Sequence, residues 1–210
     1  KKKKKMKKKQ PQVYFYVPYA DVLQVREDEE KYTYANGIVS RRKFLKSPLN
    51  YIGGKYKLLP QLIEFFPEKI NTFVDLFSGG FNVGINVDCN KVICNDMNTF
   101  IIDLYKELYS KPIDETLNKI TGRINEYGLS KENEEAFKKF RDYYNKTKEP
   151  IDLYTLSCYS FNYQFRFNNN KEYNNPFGRN RSQFSDNMKS NLILFTEKLK
   201  SMNVEFLSEP

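Results

Sequence analysis

The stretch NTFVDLFSGGFNVG, residues Asn71–Gly84, decides the fold. Four of its first seven residues are large and apolar, and the run ends abruptly at Ser78-Gly79-Gly80. A short apolar run followed by a glycine turn is typical of a buried strand that leads into a helix, where many α/β proteins hold a nucleotide. The stretch therefore predicts a strand over residues 73–77, a binding turn, and a helix that starts after Gly80.

The composition excludes several kinds of chemistry. The 210-residue chain contains no histidine, which removes Ser-His and Cys-His nucleophile pairs, imidazole bases and His-ligated zinc. Its three cysteines, Cys89, Cys94 and Cys158, form no CxxC pair and indicate reduced thiols. No apolar run approaches the roughly 20 residues that a membrane span needs. We expect a cytoplasmic protein with neither a membrane partner nor a metal site.

The net charge of +9 is concentrated at the N-terminus. The first ten residues contain eight lysines and no acid, so the other 200 carry only +1. The lysine run predicts a solvated tail that adds non-specific attraction to nucleic acid. Residues 1–46 are interpreted as this basic tail with an N-terminal extension, and residues 11–46 receive no function.

Downstream of Ser47 the sequence pattern alternates between strands and helices. A Gly-Gly-Lys turn precedes apolar residues at helical spacing from Leu58 to Phe66, and the run KVICNDMN predicts a second strand that ends in Asp96. Asn98 is suited to cap the next helix. Further helices are predicted at 114–127, 134–145, 151–161 and in SNLILFTEKLK, and the segment NVEFL predicts the start of a strand.

Two acids near the glycine turn suggest what it binds. Asp75 lies in the first strand, and Asp96 follows about 20 residues later, where an acid commonly contacts ribose hydroxyls. Asp75 would repel a dinucleotide pyrophosphate, whereas S-adenosylmethionine has a ribose, no phosphate and two cationic groups. The glycines also lack GxGxxG spacing. On this pattern alone a tight structural turn explains the stretch equally well.

Basic and aromatic residues alternate in residues 161–181. This segment contains Arg166, Lys171, Arg179 and Arg181 against one acid, Glu172, together with six aromatic residues. Its Asn, Gly and Pro residues favour turns and its alternation favours a short hairpin. A projecting basic and aromatic ribbon fits a nucleic acid. The alternative is an Asn-rich surface hairpin whose aromatic side chains pack inward.

Four motifs in a fixed order resemble the Dam-type adenine-specific DNA methyltransferases over roughly residues 47–207. They are PLNYIGGKYKLLPQL, FVDLFSGGFNVG, VICNDMN and FNYQFRFNNNKEYNNPFGR. The resemblance implies an α/β, Rossmann-like methyltransferase sheet with an inserted helical target-recognition lobe and a β-hairpin. The implied parts are a cofactor-binding core (47–100), the lobe (101–189, with hairpin 161–181) and a return to the core (190–210).

The resemblance also implies roles for individual residues. S-adenosylmethionine would lie against Tyr51, contact Lys55 through its carboxylate, rest on Phe77, Ser78 and Gly79, and place its ribose beside Asp96; Asp75 completes the expected cofactor site. The expected DNA-binding residues are Phe161 and Asn162, which wedge into the duplex, Arg166, which reads guanine, and Asn174, Pro176 and Arg179 in the far limb of the hairpin. Asn50 stands where several relatives have a base-reading lysine.

The family's catalytic motif, Asp-Pro-Pro-Tyr or a close variant, does not occur in residues 1–210. It is expected soon after the last strand, so no catalytic residue is assigned in this chain, which is expected to be cut short. The expected function is methyl transfer from S-adenosylmethionine to the exocyclic amino group of adenine in a short GATC-like site of double-stranded DNA. Expected partners are a restriction endonuclease of the same system and a second chain that supplies the motif.

Two alternatives to this function remain open. The first alternative is a truncated or non-catalytic sequence-specific DNA-binding module of the same family. RNA methylation fits less well, because a hairpin that wedges into a duplex suits DNA better than structured RNA.

Overall fold

A computed structural model describes residues 44–210, in which three parallel strands form one sheet. The strands are β1 (Thr72–Asp75), β2 (Lys91–Asn95) and β3 (Val204–Leu207), with β2 in the centre. Val92 pairs with Phe73 of β1 and with Val204 of β3. Because the strands are parallel, the segments that follow them meet at one edge of the sheet. The interpretations of the lysine tail and of residues 11–43 lie outside the described residues.

The helices follow the predicted apolar patterns. Their bounds are α1 (Leu59–Ile63), α2 (Thr99–Ser110), α3 (Ile113–Tyr127), α4 (Glu134–Thr147), α5 (Pro150–Cys158) and α6 (Asp186–Ser201). Asn98 caps α2 as predicted, since its Oδ1 accepts a hydrogen bond from Phe100 N at 3.2 Å. Within residues 44–210, none of the helices combines the length and the apolar character that crossing a bilayer requires.

The hydrophobic core lies between one face of the sheet and the helices. Every residue of helix α5 after Pro150 is buried, and the helix contacts α2, α3 and α4, while α2 also packs on α6 and β3. The fully buried Asp152 of α5 accepts a hydrogen bond from Arg123 of α3 at 3.1 Å, which ties two helices together. On the opposite face of the sheet, Val74 is half exposed and Glu205 pairs with Lys91 at 2.5 Å.

Two predictions around the glycine turn are wrong in detail. The first strand ends at Asp75 and not at Phe77, and Leu76 and Phe77 are 52% and 77% exposed. No α-helix starts after Gly80; residues 78–86 form turns and a single 3-10 turn, Gly84–Asn86. The reason is that Phe81 has a left-handed φ of 55°, and the amide of Gly84 bonds Asp75 and not a preceding helical carbonyl.

The predicted hairpin is present only as an irregular antiparallel loop. Within residues 161–181 there is no regular strand; isolated bridges join Ser160 to Phe177 and Phe167 to Tyr173. Side-chain amides take over part of the backbone hydrogen bonding, which explains why no strand ladder forms: Asn175 Nδ2 donates to the carbonyls of Phe161 and Gln164.

Candidate functional site

The glycine turn lies at the carboxyl ends of β1 and β2, where the carboxylate of Asp96 holds it. Asp96 Oδ2 accepts a hydrogen bond from Gly79 N at 2.8 Å, and Oδ1 accepts one from Asn98 N at 2.9 Å. The buried Tyr105 hydroxyl donates to Gly79 O at 2.6 Å. The predicted acid therefore lies beside the predicted turn, and both the amide and the carbonyl of Gly79 are hydrogen-bonded.

Gly79 is required by a close approach of the segment before α1. Its φ is +45°, and a Cβ atom there would lie 2.9 Å from Cδ1 of Tyr51. The Tyr51 hydroxyl accepts a hydrogen bond from Asn98 Nδ2 at 3.4 Å, and burial raises the pKa of this phenol above its usual value. The structure thus brings Tyr51, Gly79 and Asp96 together, as the resemblance implies.

Asp75 lies below the turn and has an internal hydrogen-bond partner. Its Oδ2 accepts a hydrogen bond from Gly84 N at 2.9 Å, so it closes the loop that leads to β2. Burial raises the pKa of the Asp75 carboxyl, while the bond from Gly84 acts in the opposite direction and the nearby Asp96 raises it further. Two carboxylates, those of Asp75 and Asp96, therefore lie close to each other beside the turn.

Lys55 is placed differently from the other predicted cofactor residues. Its side chain is exposed, and Nζ donates to Gly53 O of the same loop at 2.7 Å. The ammonium group therefore satisfies a carbonyl of the Gly-Gly-Lys turn. A contact with a ligand carboxylate remains a prediction.

Exposed apolar side chains lie on the three chain segments that meet at Asp96. Phe77 and Met97 are 77% and 67% exposed, and Ile52, next to Tyr51, is 67% exposed, whereas Ser78 is buried. Met97 and Ile52 were not predicted as site residues, although each directly follows a residue that was. A carboxylate with apolar neighbours at the ends of parallel strands suits a ligand that has hydroxyl groups and a flat ring.

Asn95 joins the ends of all three strands and was also missed. Its Nδ2 donates to Leu76 O and to Glu209 O, both at 3.0 Å, and its Oδ1 accepts from Glu209 N at 2.8 Å. Ser208 Oγ donates to Asp96 O at 2.9 Å. The chain that leaves β3 is therefore held directly beside the candidate site.

Asn95→Ala is expected to lower the free energy of unfolding by about 1–2 kcal/mol, because a 3% exposed side chain loses three hydrogen bonds and leaves their partners unpaired. Urea denaturation measures the change. Asn90→Ala removes an exposed amide with one hydrogen bond, to Asn71 Oδ1, and is expected to change stability by less than about 0.5 kcal/mol. Equal changes in the two variants would contradict the role given to Asn95.

The irregular loop exposes five of the six predicted DNA-binding residues; the sixth, Asn174, is half-buried. Phe161 is 49% exposed, and Asn162 and Arg166 are exposed as well. Arg166 has no side-chain hydrogen bond or ion pair with another residue of 44–210. Tyr173 and Phe165 are buried at 1% and 6% exposure, so the aromatic alternation mainly builds the interior of the loop.

The far limb of the loop makes internal contacts. Asn174 N donates to Arg166 O at 3.0 Å, and Pro176 O accepts from Phe161 N at 2.7 Å. The side-chain oxygen of Asn174 is buried without a hydrogen-bond partner among the described residues. Arg179 forms an ion pair with Glu134 of α4, and this contact lowers the pKa of the Glu134 carboxyl.

Two buried residues hold this loop and were not predicted. The Tyr173 hydroxyl lies 2.6 Å from Ser160 Oγ and donates to Gln164 O at 2.8 Å. Asn175, 2% exposed, holds the two carbonyls described above. Their signal in the sequence was the Tyr-Asn-Asn run, which the turn prediction treated only as loop composition.

Comparison with known proteins places these features in one family. Residues 51–210 match the family model of the D12 class N6 adenine-specific DNA methyltransferases. The chain is 63% identical over 164 residues to type II methyltransferase M.FokI of Planomicrobium okeanokoites, a match that covers 78% of this chain and 25% of that protein. It is 56% identical over 169 residues to modification methylase StsI of Streptococcus sanguinis, covering 80% of this chain and 26% of StsI.

A more distant relative is the DNA adenine methylase of Escherichia coli K12. Identity is 31% over 166 residues, which is 76% of this chain and 55% of the relative. The chain thus spans about a quarter of the length of the first two relatives and about half of the third.

Proposed function

The chain belongs to the D12 class of N6 adenine-specific DNA methyltransferases, and from this premise we propose that it binds S-adenosylmethionine and a short duplex site for methyl transfer to the exocyclic amino group of adenine. The observation that carries the proposal is the carboxylate of Asp96, which accepts a hydrogen bond from Gly79 N at 2.8 Å where segments with exposed apolar side chains meet. S-adenosylmethionine supplies the methyl group when it is bound.

The charges at the turn favour this cofactor over a dinucleotide. Asp96 lies close enough to Asp75 to raise the pKa of its carboxyl. Lys55 of the adjoining loop donates its hydrogen bond to Gly53 O of that same loop. A pyrophosphate would meet carboxylates without a compensating cation, whereas sulfonium and ammonium groups would be attracted. The two neighbouring carboxylates, Asp75 and Asp96, therefore support a cationic cofactor.

We assign the cofactor residues as follows. Asp96 would accept hydrogen bonds from ribose hydroxyls through the lone pairs that Gly79 N and Asn98 N leave free. Tyr51 and Phe77 would pack against the cofactor, Ser78 and Gly79 would form the floor, and Asp75 would favour the cationic end. Lys55 would contact the cofactor carboxylate after it leaves Gly53 O.

The DNA-binding part is proposed to be the irregular loop with the helices that support it. Helices α3–α5 and the loop lie between β2 and β3 in the chain, which supports a target-recognition lobe over residues 101–189, inserted into a core of 47–100 and 190–210. Phe161 and Asn162 would wedge into the duplex and Arg166 would read a guanine. Asn174, Pro176 and Arg179 would complete the DNA-binding surface.

The proposed target is a short site of the GATC type in double-stranded DNA, and a restriction endonuclease of the same system is the proposed partner. Two relatives are named as a modification methylase and a type II methyltransferase, which supports such a system. Because the chain spans about a quarter of these relatives, the methyl transfer is proposed for the whole protein and the two binding steps for this chain.

Calorimetry with S-adenosylmethionine and with NAD tests the cofactor assignment. We expect binding of S-adenosylmethionine, and no heat of binding with NAD, because the dinucleotide pyrophosphate would meet Asp75 and Asp96. Selection from a randomised duplex pool tests the target, and an enriched adenine-containing site is expected. NAD binding, or a pool that emerges without any enriched sequence, would refute the corresponding half of the proposal.

A further inference from the structure

A single asparagine joins the segment before α1 to the irregular loop of residues 161–181, which is proposed to read the target. Asn50 Nδ2 donates a hydrogen bond to Asn162 O at 2.6 Å, across 112 residues of sequence. Next to this bond, Asn50 forms an isolated parallel bridge with Gln164. Because Asn50 is exposed, its hydrogen bond to Asn162 O is expected to add little to the free energy of unfolding. We therefore consider a local role, in which the bond sets the conformation of the turn.

The turn that Asn50 holds has an unfavourable backbone. Asn162 and Tyr163 have φ values of 51° and 56°, and such left-handed values are uncommon for residues other than glycine, above all for a bulky one. Such a conformation persists only where surrounding contacts maintain it. Asn175 and Tyr173 hold the carbonyls on either side from within the loop, while Asn50 holds the carbonyl of Asn162 from outside it.

The residue that follows Asn50 is already part of the candidate cofactor site. Tyr51 lies against Gly79, and its ring is also close to that of Phe165, with ring centroids 6.4 Å apart. The same segment is tied to the glycine turn by Ser47 N, which donates to Asn82 Oδ1 at 2.9 Å. The adjacent residues Asn50 and Tyr51 thus contact two different turns: Asn50 contacts the Asn162–Tyr163 turn, and Tyr51 contacts the glycine turn.

We propose that Asn50 is a positioning residue that couples occupancy of the cofactor site to the geometry of the Asn162–Tyr163 turn. The inference rests on the proposed function. A ligand that packs on Tyr51 restricts the backbone of residues 50–51, and through the Asn50–Asn162 hydrogen bond it restricts the turn that carries Phe161. In this family member the position serves an internal contact and not direct base reading.

Coupling of this kind is reciprocal. If the cofactor orders the turn, cognate duplex must raise cofactor affinity by the same factor by which cofactor raises duplex affinity. Typical coupling factors lie between about 5- and 150-fold. Asn50→Ala is expected to reduce the factor to below about 2-fold while each ligand alone binds as before, because the variant keeps Tyr51 and the whole loop.

The test combines hydrogen exchange with binding on the 210-residue chain. S-adenosylhomocysteine, which has no methyl group to transfer, is the cofactor probe, and the duplex is the one enriched by the wild-type chain. In the wild type we expect the ligand to slow exchange of the amides of Phe161, Tyr163 and Gln164, and to raise duplex affinity at least 5-fold. In Asn50→Ala both effects are expected to disappear.

The controls separate coupling from folding and from the proposed function. Asn90→Ala, which removes an exposed amide at the opposite end of β2, is expected to behave as wild type. Asn50→Asp replaces the donor by an acceptor at constant size and is expected to lose coupling like alanine; its melting temperature and that of Asn50→Ala should match the wild type.

Each remaining outcome has a distinct meaning. Equal ligand-induced protection in wild type and Asn50→Ala, or ligand binding without protection in the wild type, overturns the coupling role. Loss of S-adenosylhomocysteine binding in Asn50→Ala, when the wild type still binds it, also overturns the coupling role, because Asn50 would then belong to the cofactor site. Failure of the wild-type chain to bind S-adenosylhomocysteine in calorimetry instead overturns the proposed function.

Discussion

Replacing Asp96 by alanine is expected to weaken S-adenosylmethionine binding by about 10- to 100-fold, equivalent to about 1.4–2.8 kcal/mol. The carboxylate has one hydrogen bond on each oxygen, from Gly79 N and from Asn98 N, and each oxygen keeps a further lone pair for a hydroxyl. Alanine removes the ligand contact and also releases the glycine turn. Calorimetry measures the affinity.

Two further variants show which part of Asp96 matters. Asp96→Asn keeps one acceptor oxygen and loses the charge, so its loss of affinity is expected to lie between those of the wild type and Asp96→Ala. Asp88→Ala, which removes an exposed acid before β2, is the matched control and should leave affinity unchanged. Wild-type affinity in Asp96→Ala, or NAD binding that depends on Asp96, would refute the assignment.

Replacing Arg166 by alanine is expected to relax base preference at one position of the duplex site by about 1–3 kcal/mol. The guanidinium group is exposed and unpaired within residues 44–210, while the backbone carbonyl of Arg166 is fixed by Asn174 N at 3.0 Å. A free guanidinium on a fixed backbone is suited to bidentate contact with guanine. Binding to duplexes that differ at single positions measures the effect.

The comparison with random DNA decides between two roles for Arg166. A base-reading arginine affects the enriched site much more than random duplex, whereas a phosphate contact weakens both equally and lowers the salt slope by about one. Arg166→Lys keeps the charge but not the planar fork, and is expected to lose specificity as well. Arg141→Ala on α4 removes an equal charge from another element and should leave base preference intact.

Local patterns accounted for most of the secondary structure. The apolar run at Phe73 and Val74 and the run before Asp96 became neighbouring parallel strands, and Asn98 capped α2. Each strand and the helix cap depend on residues that are close together in the sequence, so the sequence shows them directly, whereas the pairing of the two strands joins residues 19 apart. The predicted helix after Gly80 was wrong because Phe81 has a left-handed φ and Gly84 N bonds Asp75, and the side chains of Asn82 and Asn86 then bond residues 45–47.

The candidate site was predictable only in part, for a related reason. Tyr51, Gly79 and Asp96 lie together as the ordered motifs implied, because each motif follows the end of a strand or precedes a helix. Lys55 donates to Gly53 O and Arg179 pairs with Glu134, and no sequence motif predicts either of these internal partners.

By itself the sequence determined the α/β class, the family, and the order of strands and helices apart from the helix predicted after Gly80, because these depend on periodicity and on motif order along the chain. Only the tertiary structure decided which residues hold the site in place. Asn95 reaches Glu209 across 114 residues and Asn50 reaches Asn162 across 112. Such bonds join single polar side chains to backbone groups that any residue supplies, so they leave no local pattern, and folding alone brings the partners together.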